Sequence, residues 1–204
     1  MLRTRTAAAH EAAEVAFDLP ARLASQAGYG ELLVLLRVFY GPLEAALAAL
    51  TGWDRLTPPV DLVARRRAAL IDADLAALGI AVPAPDRTQP TTTQPALPVL
   101  RSLAQGLGCL YVLEGSALGG QIVARQARAT LGQDLPVGFF ANPAGPHLGA
   151  GWKALRAALV GYGLAAGQQA CEAAVLAARQ VFAALGDHLA RIPRDSEPLD
   201  RKTP

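Results

Sequence analysis

Along most of this chain apolar residues recur at intervals of three and four, and a few prolines and glycines break the pattern into blocks. That spacing predicts helices with one buried face each. In residues 2–17 the positions Leu2, Thr6, Ala9, Ala13 and either Ala16 or Phe17 share a broad face, with Thr4 or Thr6 available as an early cap. A turn at Asp18-Leu19-Pro20 leads to a short helix. Gly28-Tyr29-Gly30 then opens a longer helix over residues 31–50, which Pro42 should kink or divide by removing a backbone donor. Gly52, Pro58 and Pro59 mark a turn, and residues 61–78 read as the next helix, with Asp61 as N-cap and Leu62, Leu70, Leu75 and Leu78 toward the core.

From 79 to 98 the chain turns to proline, threonine and glutamine, a composition that builds no packed core and reads as a surface excursion. Neither half of the chain alone offers enough apolar surface for a core, so the excursion is not expected to link two domains. After it come a long helix over 106–132, a loop over 135–146 containing Phe139, Phe140 and Asn142, and helices over 151–162 and 165–189. Residues 191–204 form a charged, proline-containing tail expected to be disordered.

The stretch 106–132 is the one around which the rest is organised. Both of its halves carry the spacing of a single helix, yet Gly115, Gly119 and Gly120 interrupt it, with Ser116 among them. Each interior glycine costs roughly 1 kcal/mol relative to alanine, so such a cluster needs a reason. A helix bare along one strip can bend there, or lay its backbone against another helix or a flat ligand.

Alanine and leucine dominate and β-branched residues are sparse, which makes the chain all-α. With 204 residues, 52% of them hydrophobic, there is material for one full core, and a single domain over 1–190 is expected. A net charge of +2 is too small for a nucleic-acid surface, and the triplet Arg65-Arg66-Arg67 reads as a solvated helix face. Cys109 and Cys171 lack metal or redox spacing and read as reduced core residues. The start of the chain has no run long enough for a signal peptide. The most hydrophobic segment, 32–50, is broken by Arg37, Pro42 and Glu44, so a cytoplasmic protein with no membrane contact is expected.

Candidate chemistry sits on the first helix, where Arg3, Thr6, His10 and Glu14 form a stripe at helical spacing. A histidine beside an apolar face is, by itself, most often a surface or satisfied core residue. His147, after a proline in a loop, and His188, near an expected frayed end, have no comparable setting.

Two separated segments together resemble the heme oxygenase family, in particular its short bacterial type associated with phytochromes. The pattern Leu2-Arg3-x-x-Thr6-x-x-x-His10-x-x-x-Glu14 is similar to the family's proximal helix, and LYVLEGSALGGQIV over 110–123 is similar to its kinked, glycine-rich distal helix. Weaker agreement at Trp152-Lys153 and Val181-Phe182 extends the resemblance over most of the chain. It implies a helical bundle that binds heme as substrate and cofactor, with His10 as axial iron ligand and Glu14 on the second imidazole nitrogen. Gly115, Ser116, Gly119 and Gly120 would form the distal wall. Arg3 and Lys153 would meet the propionates, with Thr6, Tyr111 and Phe182 lining the site; Arg156, one turn after Lys153, is a third candidate cation by proximity alone.

The implied reaction opens heme to biliverdin with release of carbon monoxide and ferrous iron. Dioxygen is the oxidant and, since the chain has no GxGxxG or other nucleotide motif, a separate reductase or ferredoxin supplies electrons. A phytochrome is the implied recipient of the bilin. Better-known members carry an aspartate where this chain has Ser116, with Glu114 two positions before it, which leaves open which group orders the distal water. Leu110 stands where some relatives have a tyrosine near a propionate, with Tyr111 beside it. Two other readings remain: a non-catalytic heme carrier or sensor on the same fold, and a helical interaction protein whose glycines only pack helices.

Overall fold

The computed structural model describes residues 2–81, 95–141 and 148–190, and among them there are helices and no strands. The centre of the 79–98 excursion, His147, Asn142 and the 191–204 tail lie outside the described residues. Seven α-helices follow in order: α1 (Leu2–Phe17), α2 (Leu19–Arg22), α3 (Gln26–Ala49), α4 (Ala68–Ala77), α5 (Leu103–Leu131), α6 (Gly138–Ala141) and α7 (Leu148–Ala190). A 3-10 turn at Trp53–Arg55 closes the link after α3.

The most extensive helix contact is between α5 and α7, and the next is between α1 and α7. α7 is therefore the spine on which the other two long elements are laid. α3 packs on α4, and the short α6 plugs the space between α4 and α5. Tyr29, Leu32, Leu33, Phe39 and Leu43 of α3, Leu107 of α5 and Leu155 of α7 are fully buried where these elements converge.

Several element ends differ from the sequence expectation, each for a local reason. α3 starts at Gln26, because the Ser25 hydroxyl accepts from the Gly28 amide at 3.0 Å and caps the helix there. Gly28 and Gly30 lie within α3 instead of in a turn before it, and a Cβ at Gly30 would run into the end of the Ile80 side chain. Pro42 does not divide α3, which continues to Ala49. α4 begins at Ala68 and not at 61. The Asp61 carboxylate accepts from the amides of Val63 and Ala64 in a local turn, while α4 is opened by Glu44 of α3, whose Oε1 accepts from Arg67 N at 2.7 Å and Ala68 N at 3.0 Å.

The expected loop over 135–146 contains α6, capped by Asp74, whose two carboxylate oxygens take the amides of Gly138 and Phe139 at 2.8 Å each. Its Phe139 and Phe140 are core residues, in ring contact with Tyr40, Tyr29 and Phe17. The two expected C-terminal helices are present and run together as α7, but the non-helical break between them lies at Gly167, with φ 82°, and not at 163–164. α5 is helical at every residue through its glycines, which keep right-handed backbone angles.

By length and apolar composition α3 and α5 would each suffice to cross a membrane, despite the charges in α3. Both lie at the centre of the bundle, and their buried faces account for that hydropathy.

Candidate functional site

α1 rests on the second arm of α7 through small residues, the Cβ direction of Gly186 meeting Ala13 Cα at 3.7 Å and Ala16 Cβ at 3.9 Å. That close approach lets α1 present His10 sideways, its side chain half exposed. The edge of the imidazole meets the ring of Phe182 at right angles, with centroids 5.2 Å apart. Nδ1 lies 3.6 Å from a carboxylate oxygen of Glu14, one turn on, too long for a hydrogen bond but close enough to orient the ring. Nε2 has no hydrogen-bond partner among the described residues and is the nitrogen left for a ligand. Thr6 is buried, its hydroxyl donating back to the Leu2 carbonyl at 2.9 Å, so it serves the α1 interface.

Across α7, the glycines of α5 divide into three kinds. A Cβ on Gly120 would stand 2.6 Å from the Phe140 carbonyl oxygen, so that glycine exists to let α6 dock. Gly115 faces the indole of Trp152, 3.7 Å from its Cβ direction. A Cβ on Gly119 would meet nothing within 4 Å, and Gly119 is exposed. The expected bare strip is thus one packing residue, one aromatic ledge and one open position.

Ser116 is tied from behind. Its hydroxyl donates to the Leu113 carbonyl at 2.8 Å, so the Tyr40 hydroxyl, also at 2.8 Å, donates to it. The remaining lone pair of Ser116 is available as an acceptor. Tyr40 is fully buried, which pushes its phenol pKa up and keeps it a protonated donor.

The arginine triplet is not a solvated face. Arg66 is exposed, but Arg65 forms an ion pair with Glu114 at 2.7 Å in which the two side chains are only 12% and 10% accessible. Burial pushes the Glu114 carboxyl above its ordinary range, with Arg65 and Arg67 opposing the shift. Arg67 is buried, donates to the Phe139 carbonyl at 2.6 Å and stacks over the Phe139 ring with its guanidinium carbon 4.3 Å from the centroid. Its Nε and Nη1 have no hydrogen-bond partner among the described residues.

Of the expected propionate contacts, Arg3, Lys153 and Arg156 are exposed and have no ion-pair partner among the described residues. Tyr111 is half-buried against Trp152, ring centroids 5.2 Å apart. His188 is buried and not frayed: Nε2 lies 3.1 Å from the Leu35 carbonyl and the ring stacks on Phe39. The structure thus joins His10, Glu14 and Phe182 in one group, Tyr111, Gly115 and Trp152 in a second, and Ser116 with Tyr40 in a third.

The described residues contain no group of three or more histidine, cysteine, aspartate or glutamate side chains able to share a metal ion. An iron held by His10 would have to bring its own equatorial ligands, as a porphyrin does. A half-open imidazole with one free nitrogen, an uncovered helix backbone at Gly119 and unpaired surface cations all fit that group.

The family model for heme oxygenase matches residues 1–190. The chain belongs to the heme oxygenase family. No curated protein is similar enough to the chain to match it. Membership implies heme binding, the use of dioxygen and heme degradation on an all-α fold. The sequence reading gave no site role to Tyr40, Arg65, Arg67 or Trp152, which the structure places against Ser116, Glu114, Phe139 and Gly115 respectively. Ser116 and Tyr40 are 76 positions apart and Glu114 and Arg65 are 49 apart, so no local spacing announces either pair.

Proposed function

We propose that this heme oxygenase opens heme to biliverdin, releasing carbon monoxide and ferrous iron, with dioxygen as oxidant and electrons from a separate reductase or ferredoxin. The observation that carries the reading is His10: half exposed, its Nδ1 beside Glu14 and its Nε2 unpartnered. Bound heme supplies the oxygen activation and the ring that is oxidised.

The chain's own residues bind, orient and supply protons. His10 Nε2 would hold the iron, while the nearby Glu14 carboxylate favours a proton on Nδ1 and Phe182 fixes the ring plane. Gly119, with no side chain and open space where a Cβ would stand, would let the α5 backbone approach the porphyrin. Ser116, its hydroxyl hydrogen already committed to Leu113, would accept from a water beside the bound group and so orient that water as a proton donor. Tyr40 keeps Ser116 in that state. Arg3, Lys153 and Arg156 are the cations available to the propionates, and a basic rim of this kind suits an acidic electron donor. A cytoplasmic location and a phytochrome accepting the bilin complete the proposal.

The test is His10→Ala. It should abolish the histidine-ligated heme spectrum and most turnover while helix content is retained, because His10 is peripheral to the core. Unchanged five-coordinate histidine spectra and unchanged turnover would assign the iron to another residue.

A further inference from the structure

The start of α7 is fastened to α5 beside Gly115 by a contact that the roles above do not use. Arg65 spans two elements: Nη1 donates to Glu114 Oε2 at 2.7 Å and Nη2 to the Gly151 carbonyl at 3.2 Å. Glu114 directly precedes Gly115 on α5, and Gly151 directly precedes Trp152 on α7. The same fork therefore sets the separation between the glycine and the indole that faces it. That indole fills the ledge left by Gly115, tilted at 38° against Tyr111, whereas nothing fills the ledge at Gly119 four residues on.

We propose that Trp152 is a specificity-determining residue, the side wall that stops the porphyrin edge and fixes its in-plane rotation, and that Arg65 and Glu114 are the positioning residues that hold it. The inference rests on the heme site proposed above. A flat, nearly symmetric ligand held by one axial bond is free to rotate about that bond, and flexible surface cations define its angle poorly. A rigid indole wedged between Tyr111 and a glycine defines it well, since an aromatic side chain loses little freedom on packing. The Arg65–Glu114 pair is almost excluded from water, so it is a firm anchor: removing one partner leaves an uncompensated buried charge and lets the α7 start move.

The experiment uses the full chain loaded with hemin and cyanide, with the paramagnetically shifted heme methyl resonances read by NMR, and the isomer composition of the bilin measured in parallel. Trp152→Ala should shift the ratio of heme orientations by about fivefold, the scale of one aromatic contact, and give mixed bilin isomers, while His10 ligation stays intact. Trp152→Phe should restore most of the parental pattern. Glu114→Gln should move the methyl pattern in the same direction although the indole is present. A Trp152→Ala protein with the parental methyl pattern and a single parental isomer would overturn the proposal. So would a Trp152→Ala change that Trp152→Phe does not reverse. A parent chain that fails to bind hemin would overturn the proposed heme site itself, and the side wall with it.

Discussion

At the scale of residues, neighbours on one helix have opposite duties. Gly120→Ala places a methyl group 2.6 Å from a backbone carbonyl that belongs to another helix, so it should destabilise the fold by about 1–3 kcal/mol, the usual range for overpacking. Turnover per folded, heme-loaded molecule should be unchanged. Gly119→Leu has open space and a better helix former, so thermal stability should hold or rise while bilin formation falls. Thermal melts and turnover on the two variants check the contrast, and equal effects of both on turnover would put the heme elsewhere. The histidines divide in the same way. His188→Ala removes a buried ring that stacks on Phe39 and bonds the Leu35 carbonyl, and should cost about 2 kcal/mol or more in denaturant unfolding. The same change at His10 should cost little stability and most of the activity.

These duties were only partly legible in the sequence. The spacing of Arg3, Thr6, His10 and Glu14 put them on one helix correctly, because α1 is continuous and local spacing is all that is required. The split among the glycines was not legible, since what faces each one comes from α6 and α7, far along the chain. His188 misled for a related reason: closeness to the end of a helix predicts fraying only when nothing packs on that end, and α3 packs there.

At the scale of elements, the long blocks were read correctly, as were both ends of α1, but several other ends were not. Helix existence follows from apolar periodicity, which runs for many residues, whereas an end is decided by a few hydrogen bonds that can come from anywhere. α4 shows this most clearly, its first amides being capped by Glu44, 23 and 24 residues earlier. Glu44→Ala should therefore cost about 0.5–2 kcal/mol, as the loss of a cap does. Amide hydrogen exchange should show the loss concentrated at Arg67 and Ala68, and uniform loss of protection across the bundle would contradict the capping role. The same distance effect hid α6, since Gly138 and Phe139 look like loop residues until the carboxylate of Asp74 is brought to their amides.

At the scale of the whole molecule, α7 is the spine, α1 brings the imidazole to it and α5 brings the open backbone, with Tyr40 of α3 and Arg65 of the segment before α4 supplying the polar support behind α5. That support makes stability depend on pH in a defined direction. Because burial raises the Glu114 pKa, the folded chain binds this proton more tightly than the unfolded chain, so the contribution of this group falls as pH rises from the ordinary carboxylate range toward the raised value. The stability of the parent relative to Glu114→Gln should decline over that interval in denaturant titrations. A relative stability that climbs with pH would mean that the Arg65 attraction outweighs burial.

The central claim is that the site bounded by His10 and Gly119 degrades the heme it binds. The most direct measurement adds hemin to the purified chain, then dioxygen and an electron source, and follows the Soret band through a single turnover while released carbon monoxide is quantified. Loss of the Soret band, growth of a bilin spectrum and stoichiometric carbon monoxide are the expected result. Heme that binds and survives oxygen and reductant with its Soret band intact would contradict it and leave a heme carrier on this fold.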